Sequence, residues 1–146
     1  MRVQTKAYGP LDVDERQRLD FPKGLLGFER YVSFVLIDAP QKPFLILQSL
    51  EAPDLAFVLI DPFLFRPDYS IDVGDRELAS IGLEKPDDAL VFAIVTVPAE
   101  AGTVTANLMG PVIVNRANRK GMQAVLTDPR WQVKHDIVAE LAAKKG

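Results

Sequence analysis

The chain has one histidine, His135, and no cysteine. These two counts close most routes to chemistry. Imidazole is the side chain whose ordinary pKa lies nearest neutrality, so His135 is the first candidate for acid–base work. A general base also needs a partner and a pocket, and between Lys134 and Asp136 it reads as an ordinary surface or packing histidine. No serine stands in a Gly-x-Ser-x-Gly setting, and Ser33 and Ser49 lie within or beside apolar runs, which argues against a serine triad. One histidine without cysteine removes the usual zinc ligand sets. Asp68, Asp72 and Asp75 crowd into PDYSIDVGD, but their spacing lacks the alternating oxygen ligands before a glycine that a calcium loop needs. They read as turn and helix-cap residues. Gly24 and Gly27 in GLLG are followed by no Lys-Ser or Lys-Thr, so they shape a loop rather than cradle a phosphate. No catalytic, cofactor-binding or metal-binding residue is assigned.

The binding chemistries are more open. Arg116, Arg119 and Lys120 form a small basic cluster, read as solvated turn charges. The chain as a whole carries −3, a poor balance for gripping a phosphate backbone. Phe63 and Phe65 sit in DPFLFRPDY, held out of regular structure by prolines, and Phe28 sits in a glycine-rich loop. Apolar side chains on loops either cap a core or stand exposed for a partner.

The elements that must position these residues are mainly strands. The 146 residues suit one domain, and the 48% hydrophobic content suffices for one core. No apolar run approaches the length of a membrane-spanning helix, and the first residues, MRVQTKAYGP, lack a signal-peptide core. A cytoplasmic protein is expected. RVQTKAY and LDV read as short strands around a Gly-Pro turn. YVSFVLI, FLIL and LAFVLI are short runs of β-branched and aromatic residues bounded by Asp or Pro, which fit buried strands. YSIDV alternates as a strand would. GDRELASIG reads as one short helix, with Asp75 as N-cap and Gly82 as its stop. ALVFAIVTV reads as a central strand. Thr103–Met109, Pro111–Asn115 and Met122–Leu126 follow as three more. Asp128-Pro129 resembles a helix start, yet Trp131, Val133 and His135 alternate. The fold predicted is mostly β: a small antiparallel β-barrel-like domain of about nine strands with one short helix. In NLMGPVIVN, Pro111 has no N–H to give a ladder and Gly110 permits a bend, so the stretch reads as two strand segments joined at a bulge or barrel corner.

Three segments, FPKGLLGFE, PFLILQSLEAPDLAFVLIDPFLFRPDY and TANLMGPVIVN, with Gln123 beyond them, carry a resemblance. In order and spacing the chain resembles the flagellar assembly factor FliW family. It departs modestly: Asp61 stands where the family often has Asn, and Gly110 where it often has Ala. The resemblance implies a β-barrel-like domain over residues 1–138; AELAAKKG, residues 139–146, reads as an extension beyond the shared region, a helix-prone but short C-terminal tail, helical or disordered. It implies no catalytic site. It implies two protein partners: the carbon storage regulator CsrA, an RNA-binding translational repressor of flagellin synthesis, and flagellin itself. Flagellin would occupy the factor until export frees it to capture the repressor. An acidic chain meeting a basic RNA-binder is consistent with that. Phe28, Glu29, Gln48, Ser49, Asp54, Asn107 and Asn115 are the candidate partner-binding residues. Gln48 and Asn107 could equally serve buried backbone groups, and Asn115 a turn. The rival readings are an OB-type nucleic-acid-binding barrel and a small flavin-binding barrel.

Overall fold

A computed structural model of the chain describes residues 1–99 and 102–145. Among the described residues, ten antiparallel strands form: β1 (Arg2–Thr5), β2 (Gly9–Asp12), β3 (Arg18–Asp20), β4 (Ser33–Asp38), β5 (Leu45–Ser49), β6 (Ala56–Ile60), β7 (Ala89–Thr96), β8 (Thr105–Asn115), β9 (Gly121–Gln123) and β10 (His135–Asp136). β1 and β2 make a separate hairpin. The others make one sheet in the order β10-β8-β7-β6-β5-β4-β3, with β9 also beside β8. The sheet curls until its ends nearly meet. Asp20, closing β3, bridges to Lys120, just before β9, and its N–H donates to the Arg119 carbonyl at 3.0 Å. The outcome is a nearly closed antiparallel barrel, as the sequence predicts. Closure leaves few unpaired strand edges.

Why the runs are apolar throughout, rather than alternating, follows from two-sided burial. One face of each strand fills the barrel: Phe34, Leu47, Leu59, Phe92, Val112 and Val114 pack there with Phe21 and Leu25. The opposite face is covered too. The β1–β2 hairpin lays Val3, Leu11 and Val13 over Val35, Ile37 and Ile46. Phe65, Tyr69, Trp131 and Ile137 cover Ala93, Val95, Ala106 and Leu108. Ile81 and Leu83 cover Ile113. Two guanidinium groups stand over Trp131, with Arg66 and Arg130 each 4.8 Å from its ring centroid.

Several elements differ from expectation. YSIDV is extended but pairs with no strand. Tyr69, Ile71 and Val73 point inward because the segment lies along the outside of the sheet, which produces alternation without a ladder. The helix α1 (Asp75–Ala79) is capped by Gly74, not Asp75, and Gly82 ends the turn after it at φ +70°. Met122–Leu126 shrinks to β9, although Ala124 and Leu126 still donate to the Pro111 and Met109 carbonyls. Asp128-Pro129 starts a turn rather than a helix. The C-terminal segment takes the helical of its two expected states, as a second helix, α2 (Ile137–Lys145), which follows β10 and packs Ile137 and Leu141 on the core.

NLMGPVIVN lies within one strand, β8, carrying a bulge. Phe92 faces Val112 and Ile94 faces Asn107. Ala93 alone is therefore opposite Leu108–Pro111. The bulge falls at the Gly-Pro step, where Pro111 has no donor to lose. Asn107 holds it, its Oδ1 accepting from the N–H groups of Met109 at 3.0 Å and Gly110 at 2.9 Å.

Candidate functional site

His135 is buried and serves the fold. The Gln132 N–H can only donate, and it reaches His135 Nε2 at 2.8 Å. Nε2 therefore accepts, which leaves the proton on Nδ1 to donate to the Glu140 carboxylate at 3.0 Å. Glu140 also accepts from Arg66 at 2.8 Å, and Arg66 grips Asp68 through two bonds of 2.9 Å. That Arg66 pairing holds the Asp68 carboxyl down to about 2. The network ties α2 to the DPFLFRPDY segment. Tyr69 from the same segment donates its hydroxyl to the Leu108 carbonyl at 2.7 Å, and burial pushes its pKa up. Asp61 caps the turn at Pro62–Leu64 by accepting from the Phe63 N–H at 3.0 Å, a task the amide of Asn would do equally well. Among the described residues, no group of three or more His, Asp or Glu side chains is placed to hold a metal.

Three candidate partner residues are buried. Gln48 is 2% exposed, and its Nε2 lies within 3.1–3.4 Å of the carbonyls of Ser49, Ala52, Pro53 and Leu55. Ser49 Oγ accepts from the N–H groups of Glu51 and Ala52. Together they hold the turn between β5 and β6 from inside. Asn115 donates to the Ile81 carbonyl at 3.0 Å and accepts from Ala117 N–H at 2.9 Å. It joins the end of β8 to the α1 segment. None of the three faces outward. Asp54 is exposed on that β5–β6 turn.

Phe28 and Glu29 are exposed on the FPKGLLGFE loop, and Asn107 is half-buried at the bulge to which that loop is tied. The loop Phe21–Arg30 folds over one end of the barrel. Gly24 makes its turn possible: φ is +67°, and a Cβ there would stand 2.5 Å from Glu29 Cα. Leu25 is driven into the core while Leu26, next to it, is 53% exposed. Phe28 is 38% exposed and meets Phe57 edge-on at 5.2 Å. Glu29 Oε1 accepts from Gly27 N–H at 3.2 Å. The Leu26 N–H donates to Gln123 Oε1 at 3.0 Å, and Gln123 Nε2 donates to the Gly110 carbonyl at 3.0 Å. Gln123 thus staples the FPKGLLGFE loop to the bulge of NLMGPVIVN, where Met109 is 37% exposed. Val125, also exposed, lies next to it beside the bulge. Leu26, Met109 and Val125 escaped sequence reasoning. For Leu26 the available signal was the second leucine of GLLG, since of two adjacent apolar residues on a short glycine-bounded loop only one can turn into the core.

The surface is apolar, framed by amides and built on short rigid connections, without converging acids, bases or nucleophiles. That arrangement suits contact with another macromolecule. The motifs that build it match known proteins. The family model described as FliW protein covers residues 2–137. The chain is 50% identical to the flagellar assembly factor FliW of Treponema pallidum (strain Nichols), over 99% of this chain and 97% of that one. It is 48% identical to the flagellar assembly factor FliW of Treponema denticola, over 98% and 97%. A crystal structure of the flagellar assembly factor FliW superposes with a TM-score of 0.84 at 35% identity, covering 94% of this chain and 96% of that one. With the family model spanning nearly the whole chain and both sequence and fold in agreement, the chain belongs to the flagellar assembly factor FliW family.

Proposed function

We propose that this chain is a non-enzymatic regulator that works in the cytoplasm by binding proteins. It captures a CsrA-type RNA-binding repressor and relieves repression of flagellin messenger RNA. It also binds flagellin, so that flagellin accumulation withdraws it from the repressor. No chemistry is required, only two binding equilibria sharing one pool, with sites that overlap or are coupled. The observation that carries the reading is the stapled apolar surface of Leu26, Phe28 and Met109. Aromatic and methionine side chains at the centre of an exposed patch are the usual anchors of a protein interface. The net charge of −3 favours encounter with a basic partner.

The test adds the purified protein to a preformed complex of a CsrA-type repressor with flagellin leader RNA and follows RNA release by electrophoretic mobility. Release is expected, with its suppression when flagellin is supplied. Leu26→Asp and Phe28→Ala should weaken repressor or flagellin capture by about tenfold or more, as anchor residues do, with the thermal midpoint nearly unchanged for the exposed Leu26→Asp and lowered for Phe28→Ala, which also loses its contact with Phe57. RNA that stays bound at saturating protein would overturn the anti-repressor reading. Unchanged affinities in both variants would move the interface elsewhere.

A further inference from the structure

A groove of about 760 Å3 runs between α1, the Pro62–Ile71 segment and the start of β7. Phe63, Ile71, Leu78, Ala89 and Val91 are among the side chains that line it. Phe63 is 41% exposed there, although the fold gives it Tyr69 as a neighbour at 5.9 Å. The groove shares no residue with the Leu26–Phe28 surface. Its electrostatics also differ. From Asp72 to Asp88 the chain has six Asp and Glu against two Lys and Arg, a net −4, while the whole chain carries −3. The acidic excess of the molecule is therefore concentrated in this stretch. Asp75 and Glu84 stand at the groove itself, with Lys85 the one cation among the residues that line it. Asp88 has Arg116 at 3.9 Å, whereas no cation comes within ion-pair distance of Asp72, Asp75, Glu77 or Glu84 among the described residues.

The geometry points to a second docking site, for a short amphipathic peptide segment of a protein partner. Two or three apolar side chains of that segment enter the groove, and flanking Lys or Arg face the acidic rim. An apolar trough takes apolar anchors at helical spacing, and an acidic rim selects against segments with acidic flanks. This site goes beyond the anti-repressor reading and stands or falls separately from it.

The test uses the full-length 15N-labelled protein and a synthetic peptide of about three helical turns, with leucines at i, i+3 and i+7 and lysines elsewhere. A second peptide replaces every lysine by glutamate. The expected result is amide shifts at Leu78, Ala89 and Val91 with the lysine peptide, and binding weaker by about tenfold or more with the glutamate peptide. The pair Asp75→Asn with Glu84→Lys, both exposed, should weaken the lysine peptide similarly while leaving RNA release from the repressor unchanged. Phe63→Ala should weaken both peptides. Absence of shifts, shifts confined to Leu26 and Phe28, or equal binding of the two peptides would each overturn the proposal. None of these outcomes bears on release of RNA from the repressor.

Discussion

Gln48→Leu separates a structural from an interfacial role of Gln48. The Nε2 group has two hydrogens for four carbonyls, at 3.1, 3.4, 3.2 and 3.2 Å. Two bonds operate at a time. Leucine keeps much of the volume but donates nothing. The Pro53 carbonyl still accepts from Lys6 N–H and the Leu55 carbonyl from Ser49 N–H, both at 2.9 Å, so the substitution does not leave all four acceptors bare. The loss is then close to two net hydrogen bonds, about 2 kcal/mol, rather than the full desolvation cost of several orphaned groups. Unfolding entropy of about 2.1 cal/mol/K per residue gives about 0.3 kcal/mol/K for the 146 residues. The thermal midpoint should fall by about 6–7 °C. Differential scanning calorimetry checks the shift, and titration with partner at 20 °C, where the variant stays folded, checks affinity. The reasoning predicts a lower midpoint with affinity kept. An unchanged midpoint with weakened affinity would refute it and return Gln48 to the interface.

Gly24→Ala puts a Cβ at 2.5 Å from Glu29 Cα in a left-handed residue; a loss above about 2 kcal/mol is expected from strain and clash together, with partner capture falling as the Leu26–Phe28 loop is displaced, both read from urea melts and a pull-down. Tyr69→Phe removes the 2.7 Å bond to the Leu108 carbonyl and should cost about 1–2 kcal/mol at neutral pH. Because burial raises the Tyr69 pKa above its ordinary 10.0, its contribution is complete below pH 10 and declines as pH rises beyond that, so urea midpoints of the wild type should fall more steeply than those of the variant in the alkaline range. Asp68 works in the opposite direction. Its folded pKa of about 2 lies below the ordinary 3.8, so its pairing with Arg66 stabilises above pH 4 and is lost as pH falls towards 2. Asp68→Asn should flatten that acid loss, measured by midpoints between pH 5 and pH 2.5.

Much of the architecture was legible because short apolar runs bounded by Asp and Pro admit few alternatives to buried strands. β4 to β7 fall where the runs fall. The bulge of β8 was legible for a sharper reason: proline has no N–H, so the ladder must be interrupted there. YSIDV misled because burial on one side gives the same alternation whether or not a ladder exists. At the site, the motifs were visible but the direction of their polar side chains was not. Gln48, Ser49 and Asn115 turn inward to loop carbonyls and amides, while Leu26 and Met109, apolar in type, turn outward.

The sequence by itself determined the absence of cysteine chemistry, the strand-rich barrel, the punctuation at Gly110-Pro111 and the family. These depend on composition, local conformational preference and short-range pattern. The tertiary structure alone decided which amides are spent inside and which surface is left. It brought Leu26 to Gln123, 97 residues away in the chain, and set Phe63 beside Leu78 and Val91 in one groove. Whether a side chain faces a partner depends on which distant segments cover it, and barrel closure sets that only after all the strands have paired.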